Sequence, residues 1–124
     1  MWGADGWTRS PKHPIPVAPR KPIRLFVVNA GPNRISSFHV VGAIFDRVIA
    51  DGFGRPFEGM QTWSVAVGGG AIFDLRLAEP GLYPFVSHSF ADATKGAVGV
   101  FKAGNPTGTA AGQQIRTILT TVAR

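Results

Sequence analysis

Residues 61–77 read Gln61-Thr-Trp-Ser-Val-Ala-Val67, Gly68-Gly-Gly70, Ala71-Ile-Phe-Asp-Leu-Arg-Leu77. Trp63, Val65 and Val67 alternate with Thr62, Ser64 and Ala66. Phe73, Leu75 and Leu77 alternate with Ile72, Asp74 and Arg76. A period of two marks strands with one dry and one wet face, as antiparallel sheets have. The glycines between them predict a hairpin turn. Outward in both directions the pattern repeats. Ile23 to Asn29 is β-branched and aromatic and ends at the turn signal Ala-Gly-Pro-Asn33. Ser37 to Val41 is a second strand, broken at Gly42 and continued by Ile44 to Ala50. Leu82 to His88 is a strand with a proline inside, Phe90 to Lys95 a short helical link, and Ala97 to Ala103 the last strand. Six or seven short strands separated by turn signals predict an all-β Greek-key sandwich or barrel.

The flanks differ. His13 to Pro19 has three prolines, so it is extended and suited to a sheet edge. Residues 1–12 show no periodicity and read as a loose, flexible arm. After a Gly/Thr/Ala linker, Ile115, Ile118, Leu119 and Val122 recur at helical spacing, which leaves a short C-terminal helix or a frayed tail open. The domain reading is therefore an arm at 1–12, one domain at 13–104, and a linker and tail at 105–124. A chain of 124 residues can bury a core without staples. Gly and Pro number 16 and 10, which favours turns and short strands over a helix bundle. No apolar run is long enough to span a membrane, and residues 1–12 lack the apolar centre of a signal peptide.

The chain has no cysteine. That excludes disulfides, thiolate zinc sites, iron–sulfur clusters, a cysteine nucleophile and a blue-copper centre. The net charge is +6, and residues 9–34 hold Arg9, Lys12, Arg20, Lys21, Arg24 and Arg34 without a single acid. Such a run is a solvated basic face or an attractor of small anions. It lacks the interleaved aromatics and motifs of a nucleic-acid binder, so nucleic acid is not expected as a partner. No phosphate loop or nucleophile elbow occurs. Asp46, Asp74, Glu79 and Asp92 have no spacing that pairs two carboxylates, so each is assigned a structural role.

Three histidines remain. His13 lies in the proline-rich entry and reads as exposed. His88, in Val86-Ser-His-Ser89, reads as a hydrogen-bonding residue at a strand end or as a weaker metal-ligand candidate. His39 interrupts an apolar strand and faces away from Phe38 and Val40. It is either a buried or interface histidine or a metal ligand, since neutral imidazole is the commonest such ligand. One histidine cannot make a copper or zinc site, which needs about three protein donors. His13, His88 or other chains would have to supply the rest.

In order along the chain come Arg24-Leu-Phe-Val-Val-Asn-Ala-Gly-Pro-Asn33, Ser37-Phe-His-Val-Val-Gly42, Phe45-Asp-Arg-Val48, Gln61-Thr62, Gly68-Gly-Gly-Ala71, Glu79-Pro-Gly-Leu-Tyr83, Val86-Ser-His88 and Lys95-Gly-Ala-Val-Gly99. Together they resemble the second, C-terminal cupredoxin domain of two-domain copper-containing nitrite reductases and related multicopper oxidases, over about His13 to Gly104. The resemblance implies a cupredoxin-like Greek-key barrel, a homotrimer, and a type 2 copper held between chains. Two of its histidines come from a first domain and one from the second domain of a neighbour. The position matching that last ligand is His39. His88 matches a histidine often kept in this domain. Ser87 stands where three-domain relatives carry a cysteine, so no type 1 copper is implied here.

Two departures accompany the match. Residues 1–12 do not fit the strand that carries the family's active-site histidine, and Arg20-Lys21-Pro22 replaces its usual Gly-Glu-Arg. The expectation is a second domain with its first strand or strands altered or lost, periplasmic or extracellular by resemblance. Completed by a first cupredoxin domain, it would take part in reducing nitrite to nitric oxide; alone it would be inactive. A standalone copper-binding trimer and a metal-free structural domain are the alternatives.

Overall fold

The computed structural model describes residues 13–105; the arm at 1–12 and the helical pattern at 115–122 lie outside them. The described residues form eight strands and one short helix: β1 (Ile15–Val17), β2 (Ile23–Val28), β3 (Ser36–Val40), β4 (Phe45–Ala50), β5 (Thr62–Val65), β6 (Gly70–Leu75), β7 (Gly81–Ser87), α1 (Phe90–Ala93) and β8 (Val98–Ala103). They make two sheets, β1-β8-β7-β3-β5 and β2-β6-β4, packed face to face in the cupredoxin manner. All pairings are antiparallel except β1 with β8. The proline-rich entry forms β1 at a sheet edge, where missing N–H groups cost nothing.

Aromatic rings fill the space between the sheets. Phe38 of β3 lies 4.8 Å, centroid to centroid, from Phe73 and 5.9 Å from Phe45, both in the opposing sheet. Phe85 and Phe101 extend the cluster at 4.7 Å from each other. Phe73, Leu75 and Leu77 are fully buried, as their alternation predicts. Each such side chain contributes about 2 kcal/mol by leaving water.

Two connections differ from the sequence reading. The Gly68–Gly70 segment is not a hairpin: β5 pairs only with β3, and β6 only with β2 and β4. The chain crosses here from one sheet to the other. The crossing is tied to the end of β2, because Asn29 N–H donates to the Gly69 carbonyl and Gly68 N–H to the Asn29 carbonyl. The same holds at Gly42. The strand does not resume beyond it in the same sheet, for β3 lies in one sheet and β4 in the other. Gly42 adopts φ +80°, which a side chain would resist. Period-two patterning reports which face is dry but not which neighbour a strand chooses.

Pro84 sits in β7, between β8 and β3. Its carbonyl accepts from Val41 N–H at 2.7 Å. Its nitrogen faces the same side, where β3 has ended at Val40 and needs no donor.

Among the described residues, three cations of the basic run are paired with acids. Arg20 pairs with Glu79 at 3.0 Å, Arg34 with Asp92 at 3.3 Å, and Arg24 with Asp74 at 2.7 Å. A bulge between Phe45 and Arg47 brings Arg47 to the other side of Asp74 at 2.9 Å. Asp46 is engaged by Arg76. The assigned structural roles of these four carboxylates agree with these contacts. Hydrogen bonding from Arg24 is the main cause that holds the Asp74 carboxyl below the usual carboxylate range, with Arg47 adding to it against partial burial.

Two predictions follow from packing and charge. Gly99 is buried opposite Phe85, and a Cβ there would stand 2.2 Å from the Phe85 ring tip. Gly99→Ala is expected to destabilise the domain by about 1–3 kcal/mol in denaturant unfolding; a loss near zero contradicts the packing. Asp74 has a lowered folded-state pKa, so its stabilisation is present above the unfolded value of about 3.9 and is lost as pH falls through the lower folded value. The acid limb of the stability curve should therefore be shallower in Asp74→Asn than in the natural chain; identical limbs contradict this.

Candidate metal centre

β3 carries His39 between Phe38 and Val40, which are 1% and 0% exposed. With those two turned into the core, His39 lies on the outer face of the five-stranded sheet, half-buried. Its pairing partners are Thr62 of β5 and Val86 of β7. The Nδ1 atom lies 2.7 Å from the Gln61 carbonyl oxygen, with the Thr62 hydroxyl further away at 3.3 Å. A carbonyl only accepts, so Nδ1 carries the proton and donates it. The lone pair of the neutral ring is then on Nε2. No hydrogen bond engages Nε2 among the described residues. A metal-ligating imidazole has this arrangement: one nitrogen fixed by an acceptor, the other open.

His88 follows β7. Its backbone N–H donates to the Ser37 carbonyl at 2.8 Å. Its ring centroid is 5.0 Å from that of His39, with a tilt of 43°. The Phe90 ring meets it edge-on at 5.1 Å. Burial of the ring, and secondarily the charge of His39, hold the His88 imidazole below the usual histidine range. Of the two candidates that could join His39, the fold brings His88 and not His13. His13 is exposed ahead of β1, with β8 and β7 lying between β1 and β3.

Sequence patterning does not identify the Gln61 carbonyl or the Phe90 ring as partners of these histidines. Gln61 is 22 positions from His39 and acts through its backbone, which leaves no side-chain signal. Among the described residues, no group of three or more His, Cys, Asp or Glu side chains could hold a metal. The two imidazoles fall short of the roughly three protein donors that a copper or zinc site needs.

Ser87, facing Phe38 in the ladder, is 1% exposed. Its hydroxyl and that of Ser36 are buried without a hydrogen-bond partner among the described residues. They border a hollow of about 440 Å³ that also meets Asn29, Arg34, Asp92 and Lys95. Arg34 is committed there to Asp92 and to the Ser89 hydroxyl. No helix among the described residues is long and apolar enough to cross a membrane.

No protein-family model matches the chain. It is 44% identical over 81 residues to a copper-containing nitrite reductase of Neisseria meningitidis serogroup A, a match covering 64% of this chain and 21% of that protein. The chain therefore spans about a fifth of the length of the curated relatives it matches. The structure of a copper-containing nitrite reductase from Thermus scotoductus superposes with a TM-score of 0.75 at 34% identity, covering 78% of this chain and 23% of that one. The crystal structure of a multicopper oxidase superposes with a TM-score of 0.70 at 28% identity, covering 75% and 33%.

The His39 charge is one cause of the His88 shift, and its ring contributes to the burial that is the other. In His39→Ala the His88 pKa, followed by NMR titration of its ring protons, should rise toward the ordinary histidine value. An unchanged or lower value contradicts the described contact.

Proposed function

We propose, from the premise that this chain is a cupredoxin domain of the copper-containing nitrite reductase and multicopper oxidase family, that His39 supplies one imidazole to a type 2 copper shared with another domain. The observation that carries this reading is the state of that ring: outward on the sheet, Nδ1 held by the Gln61 carbonyl, Nε2 open. The open nitrogen lies beside one other imidazole and no carboxylate cluster, which fits copper better than a hard cation.

Copper, when bound, acts as a Lewis acid that stabilises a small anion such as nitrite and eases its protonation. The residues of this chain bind and orient. His39 gives the metal a nitrogen donor, and the hydrogen bond at Nδ1 keeps the ring from turning and raises its basicity. Electron delivery through a thiolate-bound copper falls to a first cupredoxin domain, since this sequence has no cysteine. The complete assembly is a homotrimer with the metal at a subunit boundary, working in the periplasm or outside the cell, and it reduces nitrite to nitric oxide.

A chimera tests this. The matching segment of the Neisseria meningitidis enzyme is replaced by residues 13–104 of this chain. The expected protein shows both a blue thiolate-copper band and a type 2 copper EPR signal, and it reduces nitrite. His39→Gln should remove the type 2 signal and the activity while the blue band stays. A type 2 signal that survives His39→Gln overturns the assignment. The isolated chain, given copper, nitrite and a reductant, should release no more nitric oxide than free copper does; steady turnover contradicts the division of labour.

A further inference from the structure

We infer that His39 and His88 together form a two-imidazole chelate, through which a single copy of this chain holds Cu²⁺ before any second domain completes the site. The inference rests on the reading of His39 as a copper ligand and adds a donor from the same chain.

The ladder places the two rings. His39 faces Val86 across β3 and β7, and Val86 and His88, two apart in an extended chain, point to the same side of the sheet. His88 is thus the diagonal neighbour of His39, within reach for two aromatic side chains. The bond from His88 N–H to the Ser37 carbonyl carries the β7 pairing one residue beyond the strand and fixes this register. With metal–nitrogen bonds of about 2.1 Å, two imidazoles in cis positions on one metal have ring centres about 5 Å apart. The observed separation is 5.0 Å.

Two features favour a metal over a plain ring contact. The lone pair of His39 is on the open Nε2, because Nδ1–H is engaged by Gln61. The Phe90 ring packs edge-on against the His88 ring at 5.1 Å. A donor set of two nitrogens and no oxygen selects borderline transition metals, with Cu²⁺ strongest, and rejects Ca²⁺ and Mg²⁺. Water fills the remaining positions in the single chain. In the completed enzyme, two histidines of the other domain would replace His88 and that water beside His39, so the chelate is a loading state that precedes the final centre.

Calorimetry and EPR on the full 124-residue chain with Cu²⁺ test the inference. The expected result is one equivalent bound, with superhyperfine coupling to two imidazole nitrogens. His88→Gln and His39→Gln should each weaken binding by about tenfold or more, with coupling reduced to one nitrogen. His13→Gln should leave binding unchanged. In the natural chain, Cu²⁺ well below one equivalent should broaden the ring-proton NMR signals of His39 and His88 selectively, a readout that needs no variant. Binding and coupling untouched by His88→Gln overturn the chelate. If His39→Gln still abolishes binding, the single-ligand assignment survives that failure. If neither variant matters, the chelate is overturned and the chimera alone decides the role of His39.

Discussion

The ring of Phe38, held among Phe73, Phe45 and Phe85 between the two sheets, is the contact on which the site depends. Side chains on a strand alternate, so burying Phe38 and Val40 leaves His39 no choice but the outer face. A slip of one residue in β3 would bury the imidazole and expose two large apolar side chains, a loss of several times the thermal energy. The core thereby holds a functional group outward that takes no part in the core itself. The hydrogen bond from Nδ1 to the Gln61 carbonyl then sets the ring's rotation.

Charge shows the opposite division. The cations between Arg9 and Arg34 form an acid-free run in the sequence, and three of them find acids only after folding. Arg20, Arg24 and Arg34 reach Glu79, Asp74 and Asp92, each fifty or more positions away. Among the described residues, half of the six cations of that run are held in ion pairs, of which Arg24–Asp74 joins two paired strands. The bulge in β4 adds Arg47 to the pair at Asp74 and turns it into a three-strand tie. Such exposed pairs contribute little each.

Strand positions, the edge placement of the proline segment and the outward His39 were legible because each depends on local alternation or on a missing N–H. The Gly68–Gly70 hairpin and the continuation of the strand beyond the break at Gly42 were not. Both segments carry the glycine of a turn, and a turn within a sheet and a crossing between sheets use the same residues. Only the packing of β5 on β3 and of β6 between β2 and β4 separates the two cases. The pairing of His39 with His88 escapes sequence reading for the same reason, since it depends on the register of β3 against β7.

Period, composition and the absence of cysteine determined that this protein is a β-sandwich with dry and wet faces, without a thiolate centre, and with one imidazole facing out of a greasy strand. These depend on side chains near in sequence, whose directions a strand dictates. Which strands became neighbours, which arginines were neutralised and which second histidine came within 5.0 Å of the first were decided by tertiary structure. Those outcomes follow from burying the aromatic core between two sheets, and that requires contacts between residues far apart along the chain.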